Sequence, residues 1–355
     1  MKEAAYDFAI IGGGVIGLST AYALRARRRN AKICVIEAGP ECGFGASWAN
    51  GSMIHPSQST PWAETEGADD VAIAKHVYEL ASYSSEILRA RFDEFEIEPR
   101  HRRASCAKIY MSRAAMDEDL RKLEPLFSAG LRARYLSRQE MRLQLNITAQ
   151  NIYGGVIFPD DHSGPARIYC QHLVSRLKAS HVELMTGDAA SSIDAQSVVL
   201  SRGKIVSAQS IIIAAGAQSH KLADIAGQKA VRGYSRTFEL PDHLDTFPHM
   251  PVMDDAAHIA IAPMGTHLRV SGGADDEGFN DAGIYQNLEE YLSRRCPDLR
   301  LSGAPKSDWT ALRPMSEGGP VIRRLRSGLY ANTGHGHMGW TLSAGAAEKL
   351  VDLIL

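Results

Sequence analysis

Three glycines near the amino terminus have the spacing of a dinucleotide-binding turn. Gly12, Gly14 and Gly17 form a G-x-G-x-x-G pattern between an apolar run and a stretch with helical spacing. Such glycines let the backbone approach a pyrophosphate, and the helix N-terminus supplies N–H donors. Glu37 ends the next apolar run, where a carboxylate accepts two ribose hydroxyls and repels a 2′-phosphate. These residues predict an adenine-dinucleotide site, although a structural turn also explains the glycines taken alone.

A second glycine-rich turn lies near the other end of the chain. The segment NTGHGHMGWT, residues 332–341, follows a strand-like run and precedes a predicted helix. Gly334, Gly336 and Gly339 allow a close approach to a flavin, and the helix N-terminus would stabilise negative charge on the flavin N1 and C2=O. An NAD enzyme needs little from this region, so the turn favours FAD. An ordinary strand-to-helix connection is the alternative.

A long segment after the first unit has no periodicity. Residues 45–63, GASWANGSMIHPSQSTPWA, are mostly small or polar, and a loop of this length in a compact chain is usually functional or disordered. The small residues from Gly45 to Gly51 would let backbone N–H groups reach a cofactor. We therefore expect the first half to bind the cofactor, and the second half, from Met53, to face the substrate or the domain junction.

Hydrophobic periodicity predicts the elements that position these segments. Apolar runs at 8–11 and 33–36 flank a helix and give a βαβ unit, and 71–95 has one apolar helical face. Ser137 and Glu140 form a capping box that predicts another short helix. Further strands are expected at 106–112, 182–185, 198–200 and 210–219, and further helices at 114–126, 166–179, 287–296 and 340–355. Residues 231–273 are expected to form antiparallel strands, with a tight turn at 264–267.

Composition and charge argue against several classes of function. The chain has 355 residues with 39 Lys+Arg against 41 Asp+Glu, so we expect no nucleic-acid partner. Five cysteines without metal-like spacing predict no metal site and a reducing compartment, which we interpret as the cytoplasm. We expect neither a signal peptide nor a membrane span. Attachment to a membrane surface and assembly into an oligomer stay open.

Taken together, the motifs resemble the D-amino-acid oxidase superfamily of FAD-dependent oxidoreductases, most closely the bacterial D-amino-acid dehydrogenases. GGGVIG with Glu37, the 45–63 segment, RGYSRTFEL, LRPMSEGGPVI and NTGHGHMGWT carry the resemblance over nearly the whole chain. It implies an α/β fold with a discontinuous, Rossmann-like FAD-binding domain and a second α+β substrate domain of mostly antiparallel sheet. We place the FAD-binding domain at 1–65, 150–230 and 305–355, and the substrate domain at 66–149 and 231–304.

The resemblance implies FAD contacts along several segments of the chain. They are Gly12, Gly14, Val15, Ile16, Gly17, Glu37 and Ala38, then Ala46, Ser47, Trp48, Ala49, Asn50 and Gly51, then Ala189, Ala215 and Gly216, and finally Gly334, His335, Gly336, Met338, Gly339, Trp340 and Thr341. Sarcosine oxidases carry a flavin-bonded cysteine where this chain has Ala311. We therefore expect no covalent bond to FAD at that position.

Arg313 in the RP motif is the expected substrate anchor. The resemblance gives it the substrate carboxylate, and a guanidinium can bind a carboxylate bidentately and fix the Cα–H over flavin N5. A structural salt bridge is the alternative. His55, Tyr234 and His337 are further candidate catalytic residues, and for each a plain hydrogen-bonding or core role is the alternative. No acid–base side chain is needed if the amine enters neutral.

These residues predict an enzyme that dehydrogenates small D-amino acids to imino acids, which water hydrolyses to 2-oxo acids and ammonia. We expect electrons to pass to a quinone or another carrier rather than mainly to oxygen. The alternatives are a glycine- or sarcosine-type oxidase that uses oxygen, the flavin subunit of an opine or hydroxyproline dehydrogenase complex, and a flavin-binding protein without turnover. The chain is shorter than typical D-amino-acid dehydrogenases after Ala63 and past the final helix, and Arg323 replaces their usual glycine.

Overall fold

The computed structural model describes residues 5–60, 68–149, 151–225, 227–240, 248–275, 281–299, 301 and 303–355. Its strands are β1 (Tyr6–Ile11), β2 (Ile33–Glu37), β3 (Met53–Ile54), β4 (Arg103–Tyr110), β5 (Arg134–Ser137), β6 (Gly154–Ser163), β7 (Glu183–Thr186), β8 (Ala190–Asp194), β9 (Ser197–Leu200), β10 (Ile205–Ile213), β11 (Gln228–Glu239), β12 (Val252–Asp254), β13 (Ile259–Met264), β14 (His267–Asp275), β15 (Ser307–Ser316), β16 (Val321–Arg326) and β17 (Leu329–Thr333). Its helices are α1 (Val15–Arg27), α2 (Ala68–Glu94), α3 (Arg113–Lys122), α4 (Glu124–Ser128), α5 (Arg138–Leu145), α6 (Ala166–Ala179), α7 (Asp281–Arg295) and α8 (Gly339–Ile354).

The first sheet is built around parallel strands. Its order is β16-β17-β10-β1-β2-β7, with β8 and β9 attached beside β10. β1 pairs in parallel with both β10 and β2, and β10 pairs in parallel with β17. Parallel strands end at the same edge of a sheet, so both glycine-rich turns, after β1 and after β17, leave that edge together. This is the edge at which open α/β sheets bind ligands.

The second sheet is mostly antiparallel, as predicted. Its order is β15-β11-β14-β13-β12-β4-β6-β3, with β5 beside β6, and the pairing of β12 with β4 is its parallel exception. The predicted tight turn is present, because Met264 pairs with His267 across two intervening residues. β11 pairs with β14 on one side and β15 on the other, which sets Arg313 opposite Val231.

Close backbone approach fixes the helices against the first sheet. A Cβ atom on Gly17 would overlap the carbonyl oxygen of Gly12, so α1 can lie over the turn only with glycine there. α1 also packs on α8, and the shared core includes Leu18, Leu24 and Leu350, all fully buried. The α8 helix in turn contacts α2.

Most predicted elements are present, but three predictions were wrong in detail. The helix expected at 114–126 is two helices, because Pro125 stands in the first turn of α4 and begins that helix rather than ending one. Val71 is 40% exposed and lies off the apolar face of α2. The aperiodic segment contains β3, which pairs with β6, and residues 61–63 lie outside the described residues. The strands β5, β6, β8, β12, β15 and β16 were not predicted.

The chain crosses between the two sheets several times. β3, β6 and β15 pair within the second sheet, although their residues fall within the bounds we expected for the FAD-binding domain. Those bounds stay a prediction. Across the described part of the chain, no helix is both long and apolar enough to cross a membrane.

The contact between Gly17 and the first turn makes a stability prediction. We expect Gly17→Ala to lower the free energy of unfolding by about 1–3 kcal/mol, because the new methyl group forces α1 away from the turn. Urea unfolding measures this. Gly318→Ala is the control, since a Cβ atom there meets no atom within 4 Å. Equal stability of the two variants would contradict the close-approach argument.

Candidate active site

A cavity of about 1700 Å³ runs along the edge of the first sheet to the face of the second. Most of the predicted cofactor residues lie on its wall: Gly12, Gly14, Val15, Ile16, Glu37, Ala38, Ala46, Ser47, Ala49, Asn50, Gly51, Ala189, Ala215, Gly216, His335, Gly336, Gly339 and Trp340. The four predicted catalytic residues, Arg313, His55, Tyr234 and His337, line the same cavity. The structure therefore brings the two predicted sets of residues together.

Five predicted cofactor residues lie off the cavity wall, and each has another structural role. Gly17 packs α1 against the first turn, and Trp48 lies under the guanidinium of Arg167, 3.5 Å from the ring centroid. The remaining three support the second turn: Gly334 has a φ of +74°, Met338 packs in a buried apolar cluster, and Thr341 Oγ1 accepts a hydrogen bond from the His55 backbone N–H at 3.2 Å. Direct contact of these five residues with FAD remains a prediction.

The turn after β1 is shaped for a close ligand. Gly12 has a φ of +112°, which glycine alone adopts freely. Ser47 Oγ accepts the Val15 backbone N–H at 3.0 Å and so ties the 45–47 turn to the start of α1. Glu37 accepts the backbone N–H groups of Gly13 and Gly39, each at 2.7 Å. A carboxylate has about four acceptor positions, so Glu37 keeps capacity for ribose hydroxyls.

These residues fit FAD. A Cβ atom on Gly14 would meet only Ser47 Oγ, at 3.4 Å, so the N-terminus of α1 opens toward the cavity, and its first turn carries no acidic residue that would repel a pyrophosphate. At the second turn, His335 is 5% exposed, and its Nε2 has no hydrogen-bond partner among the described residues. A buried polar atom on a cavity wall indicates a ligand that completes its hydrogen bonding.

Arg313 is held in the cavity by the backbone of two neighbouring strands. Its Nη1 donates to the carbonyl of Gly273 at 2.9 Å, and a Cβ atom on Gly233 would overlap the guanidinium. The structure shows no carboxylate in ion-pair distance of Arg313 among the residues it describes. Burial lowers the pKa of Arg313 below its usual range. The guanidinium nevertheless stays positively charged, because arginine is not deprotonated in proteins. Within the described part of the chain, the site therefore holds a cation without a carboxylate partner.

Three histidines line the same cavity as this arginine. Burial lowers the pKa of His55 and of His335 to about 3. Desolvation and the charge of Arg313 lower the pKa of His337 to about 4, and an interaction with the Gln58 backbone opposes that shift. The rings of His55 and His337 lie 6.2 Å apart, centroid to centroid. All three imidazoles are neutral at neutral pH.

A buried carboxyl group supports the segment that carries His55. Asp161 is fully buried and accepts hydrogen bonds from the Ser57 backbone N–H at 3.1 Å and from Ser57 Oγ at 2.6 Å. Burial raises the pKa of Asp161 to about 7, and the two bonds to Ser57 only partly offset that effect. Asp161 thus fixes the turn Pro56–Gln58, which directly follows His55.

Sequence reasoning missed the residues that shape the site through their backbone. Gly233 leaves room for the Arg313 guanidinium, the Gly273 carbonyl accepts a hydrogen bond from it, and Gln58 lies near His337. A glycine inside a strand often marks a close approach, so Gly233 within RGYSRTFEL carried a usable signal. Nothing local in the sequence marks Gln58, since its contact joins segments far apart in the chain.

Comparisons of the sequence and of the fold with known proteins identify similar oxidoreductases. The family model described as FAD dependent oxidoreductase matches residues 7–353. D-amino acid dehydrogenase of Methylobacterium radiotolerans is 27% identical, covering 97% of this chain and 94% of that protein. Glycine oxidase of Geobacillus kaustophilus superposes with a TM-score of 0.84 at 22% identity, covering 98% of this chain and 94% of that one. L-proline dehydrogenase of P. horikoshii superposes at 0.79 with 14% identity, covering 99% and 93%.

Asp161 makes a pH-dependent prediction. Its pKa is about 7 in the folded chain but about 3.9 unfolded, so folding favours the protonated form and stability falls as pH rises between these values. We expect the free energy of unfolding of Asp161→Asn, relative to the wild type, to rise by about 3 kcal/mol between about pH 5 and about pH 8. Urea unfolding at both pH values measures this.

Asp160→Asn is the matched control for that measurement. Asp160 pairs with Arg132, which lowers the pKa of its carboxyl group. The stabilisation that the ionised Asp160 gives the folded state is therefore fully present by about pH 5. The difference in free energy of unfolding between this variant and the wild type should not change from about pH 5 to about pH 8. The same pH trend in both variants would contradict the assignment to Asp161.

Proposed function

The chain belongs to the FAD-dependent oxidoreductase family, and on that premise we propose that it dehydrogenates small D-amino acids to imino acids, which water hydrolyses to 2-oxo acids and ammonia. Amino acids are supported as the substrate class by the curated relatives, which match 97% of the chain and are named D-amino acid dehydrogenases. Solved structures such as glycine oxidase support the fold alone. The D configuration is part of the proposal.

One observation carries the proposal: the uncompensated guanidinium of Arg313 in the cavity. An arginine in a protein interior is usually paired, because desolvation of a lone charge is costly. Here its contact is a neutral carbonyl, that of Gly273. A substrate carboxylate would supply the missing negative charge through two parallel hydrogen bonds. Such a bidentate pair also fixes the direction of the Cα–H bond.

The protein residues then hold the substrate in a reactive form. FAD, when bound, would supply the acceptor for a hydride from Cα, which carries the two electrons of the oxidation. The lone pair of the amine must be free to form the C=N bond, which a protonated amine cannot do. Arg313 adds positive charge, and the imidazoles of His55, His335 and His337 stay neutral. This environment disfavours the ammonium form, so the amine reacts neutral and no acid–base side chain is required.

We propose a quinone or another carrier as the electron acceptor, in line with the name dehydrogenase among the relatives. All five cysteines are free thiols, which supports a cytoplasmic location. The second candidate is a glycine- or sarcosine-type oxidase, for which oxygen is the electron acceptor. The fold of this chain is similar to that of glycine oxidase. Peroxide production in air would favour that candidate.

Anaerobic mixing tests the proposal. The purified protein should show flavin absorbance, and D-alanine or D-proline should bleach it, whereas L-alanine should not. Bleaching by glycine or sarcosine alone would favour the second candidate, a glycine- or sarcosine-type oxidase. A protein that binds flavin and is bleached by none of these amines would contradict the proposed activity.

Removal of the guanidinium is the first prediction for this activity. We expect Arg313→Ala to lower the efficiency of flavin reduction by D-alanine by about 100-fold or more, since one partner of a buried charge pair is lost. Stopped-flow absorbance measures it. Arg323→Ala is the control, because Arg323 is exposed on β16 outside the cavity. Similar losses in both variants would contradict the anchor role.

Displacement of the guanidinium without loss of charge is the second prediction. In Gly233→Ala the new methyl group overlaps the end of the Arg313 side chain, which is flexible and can move aside. We expect stability within about 1 kcal/mol of the wild type, but a decrease of about tenfold or more in reduction efficiency. Unchanged efficiency would show that the position of the guanidinium does not matter.

A further inference from the structure

The segment at 45–51 is bound by the second sheet through its carbonyl groups. Three of its carbonyl oxygens accept hydrogen bonds from side chains of that sheet: Gly45 from Trp309 Nε1 at 3.2 Å, Ala49 from Ser235 Oγ at 2.8 Å, and Asn50 from Arg269 Nη1 at 2.8 Å. The three donors stand on β15, β11 and β14, which are neighbours in the sheet. These carbonyl groups of the segment therefore face the second sheet.

The same bonds direct two backbone N–H groups away from the sheet. In a trans peptide unit, the carbonyl of one residue and the N–H of the next point in opposite directions. The carbonyl bonds of Ala49 and Asn50 thus turn the N–H groups of Asn50 and Gly51 away from the sheet, and both residues line the cavity. Among the described residues, neither N–H has an acceptor. A cofactor in the cavity would supply one.

These two N–H groups lie at the end of the segment that is near the substrate anchor. Ser47 ties the other end to the start of α1. A Cβ atom on Gly51 would lie 3.1 Å from Ser271 Oγ on β14. Two residues further along that strand, or about 7 Å, the carbonyl of Gly273 binds Arg313. The reacting part of FAD has to lie beside the anchored substrate, so these N–H groups are placed for the isoalloxazine rather than for the pyrophosphate.

Arg269 differs from the other two donors because it carries a charge. Its Nε donates to Thr237 Oγ1 at 3.1 Å, and no carboxylate lies within ion-pair distance of it in the part of the chain that the structure describes. Burial and the charge of Arg167 lower the pKa of Arg269 to about 10, so it stays protonated at neutral pH. Unlike Arg313, it is not on the cavity wall. Its charge therefore acts on a cavity ligand through the Asn50 peptide unit.

We propose that Arg269 is a positioning residue for the flavin: through the Asn50 carbonyl it aims the Gly51 N–H at the isoalloxazine and polarises that donor in favour of the reduced, negatively charged flavin. A charged donor makes the stronger hydrogen bond, and hydrogen bonds in series polarise one another where the dielectric constant is low. The inference rests on the proposed reacting site beside Arg313 but not on which amine is oxidised. Its consequence is a higher reduction potential of bound FAD.

Reductive titration of the FAD-loaded protein against a redox dye of known potential tests this role. Arg269→Gln keeps an N–H donor for the Asn50 carbonyl but removes the charge. We expect it to weaken the binding of reduced FAD relative to oxidised FAD by about tenfold, which corresponds to a two-electron potential about 30 mV below that of the wild type. Arg269→Lys keeps the charge, and its ratio of the two affinities should stay within about threefold of the wild-type value.

Ser235→Ala is the matched control, because it separates the charge from the position of the segment. It removes the bond to the Ala49 carbonyl, next to the bond made by Arg269, without any change of charge. We expect the dissociation constant of oxidised FAD, from the quenching of flavin fluorescence by the apoprotein, to rise by about three- to tenfold. The reduction potential should stay within the range expected for Arg269→Lys.

Three outcomes would overturn the proposal. They are a wild-type potential in Arg269→Gln, an equal decrease in Arg269→Gln and Arg269→Lys, and an equal decrease in Arg269→Gln and Ser235→Ala, which would assign the effect to position alone. Arg269→Met, which lacks both the charge and the donor, takes the place of Arg269→Gln if that variant does not fold. No amine enters these measurements, so their failure leaves the proposed function intact, and bleaching by D-alanine decides that function separately.

Discussion

The site depends on one electrostatic constraint: a positive charge in the cavity for which the described residues supply no carboxylate partner. The guanidinium of Arg313 is held by a hydrogen bond to the neutral carbonyl of Gly273. It occupies space that a side chain at Gly233 would fill. Such a charge is costly when unliganded. The cost is recovered when an anion binds, so the constraint links the architecture of the second sheet to the choice of substrate.

The two sheets divide the work of the site. The parallel sheet sends both glycine-rich turns from one edge, where two helix N-termini can meet a dinucleotide. The antiparallel sheet carries the substrate anchor on β15. The segment around His55 joins these halves, because its backbone bonds to Thr341 at the start of α8 and its next residues bond to Asp161 on β6. A displacement of either sheet would therefore change the position of the other through this segment.

Local sequence signals were enough to predict several residues that lie on the cavity wall. Gly12, Gly14 and Glu37 act through short-range turn and strand geometry, which spacing encodes, and all three lie on the cavity wall. The substrate half depended on the resemblance of the RP motif, since no local pattern gives Arg313 its surroundings.

Long-range packing explains what the sequence did not reveal. Gly17 and Trp48 fit the motifs, yet the first packs against backbone and the second against Arg167. The surroundings of His337 arise from Gln58, Arg313 and Lys108, three residues on separate segments. No window of sequence contains these contacts. Pro125 shows the same limit for helices, because a proline within a helical pattern is compatible with both an end and a start.

The most direct test of the central claim compares D-alanine with ethylamine, which has the same amine and reacting carbon but no carboxylate. The measurement is the second-order rate constant for anaerobic flavin reduction. If the uncompensated guanidinium selects the substrate, D-alanine should be favoured by about 1,000-fold. Equal rate constants for the two amines would show that the carboxylate contributes nothing and would contradict the account.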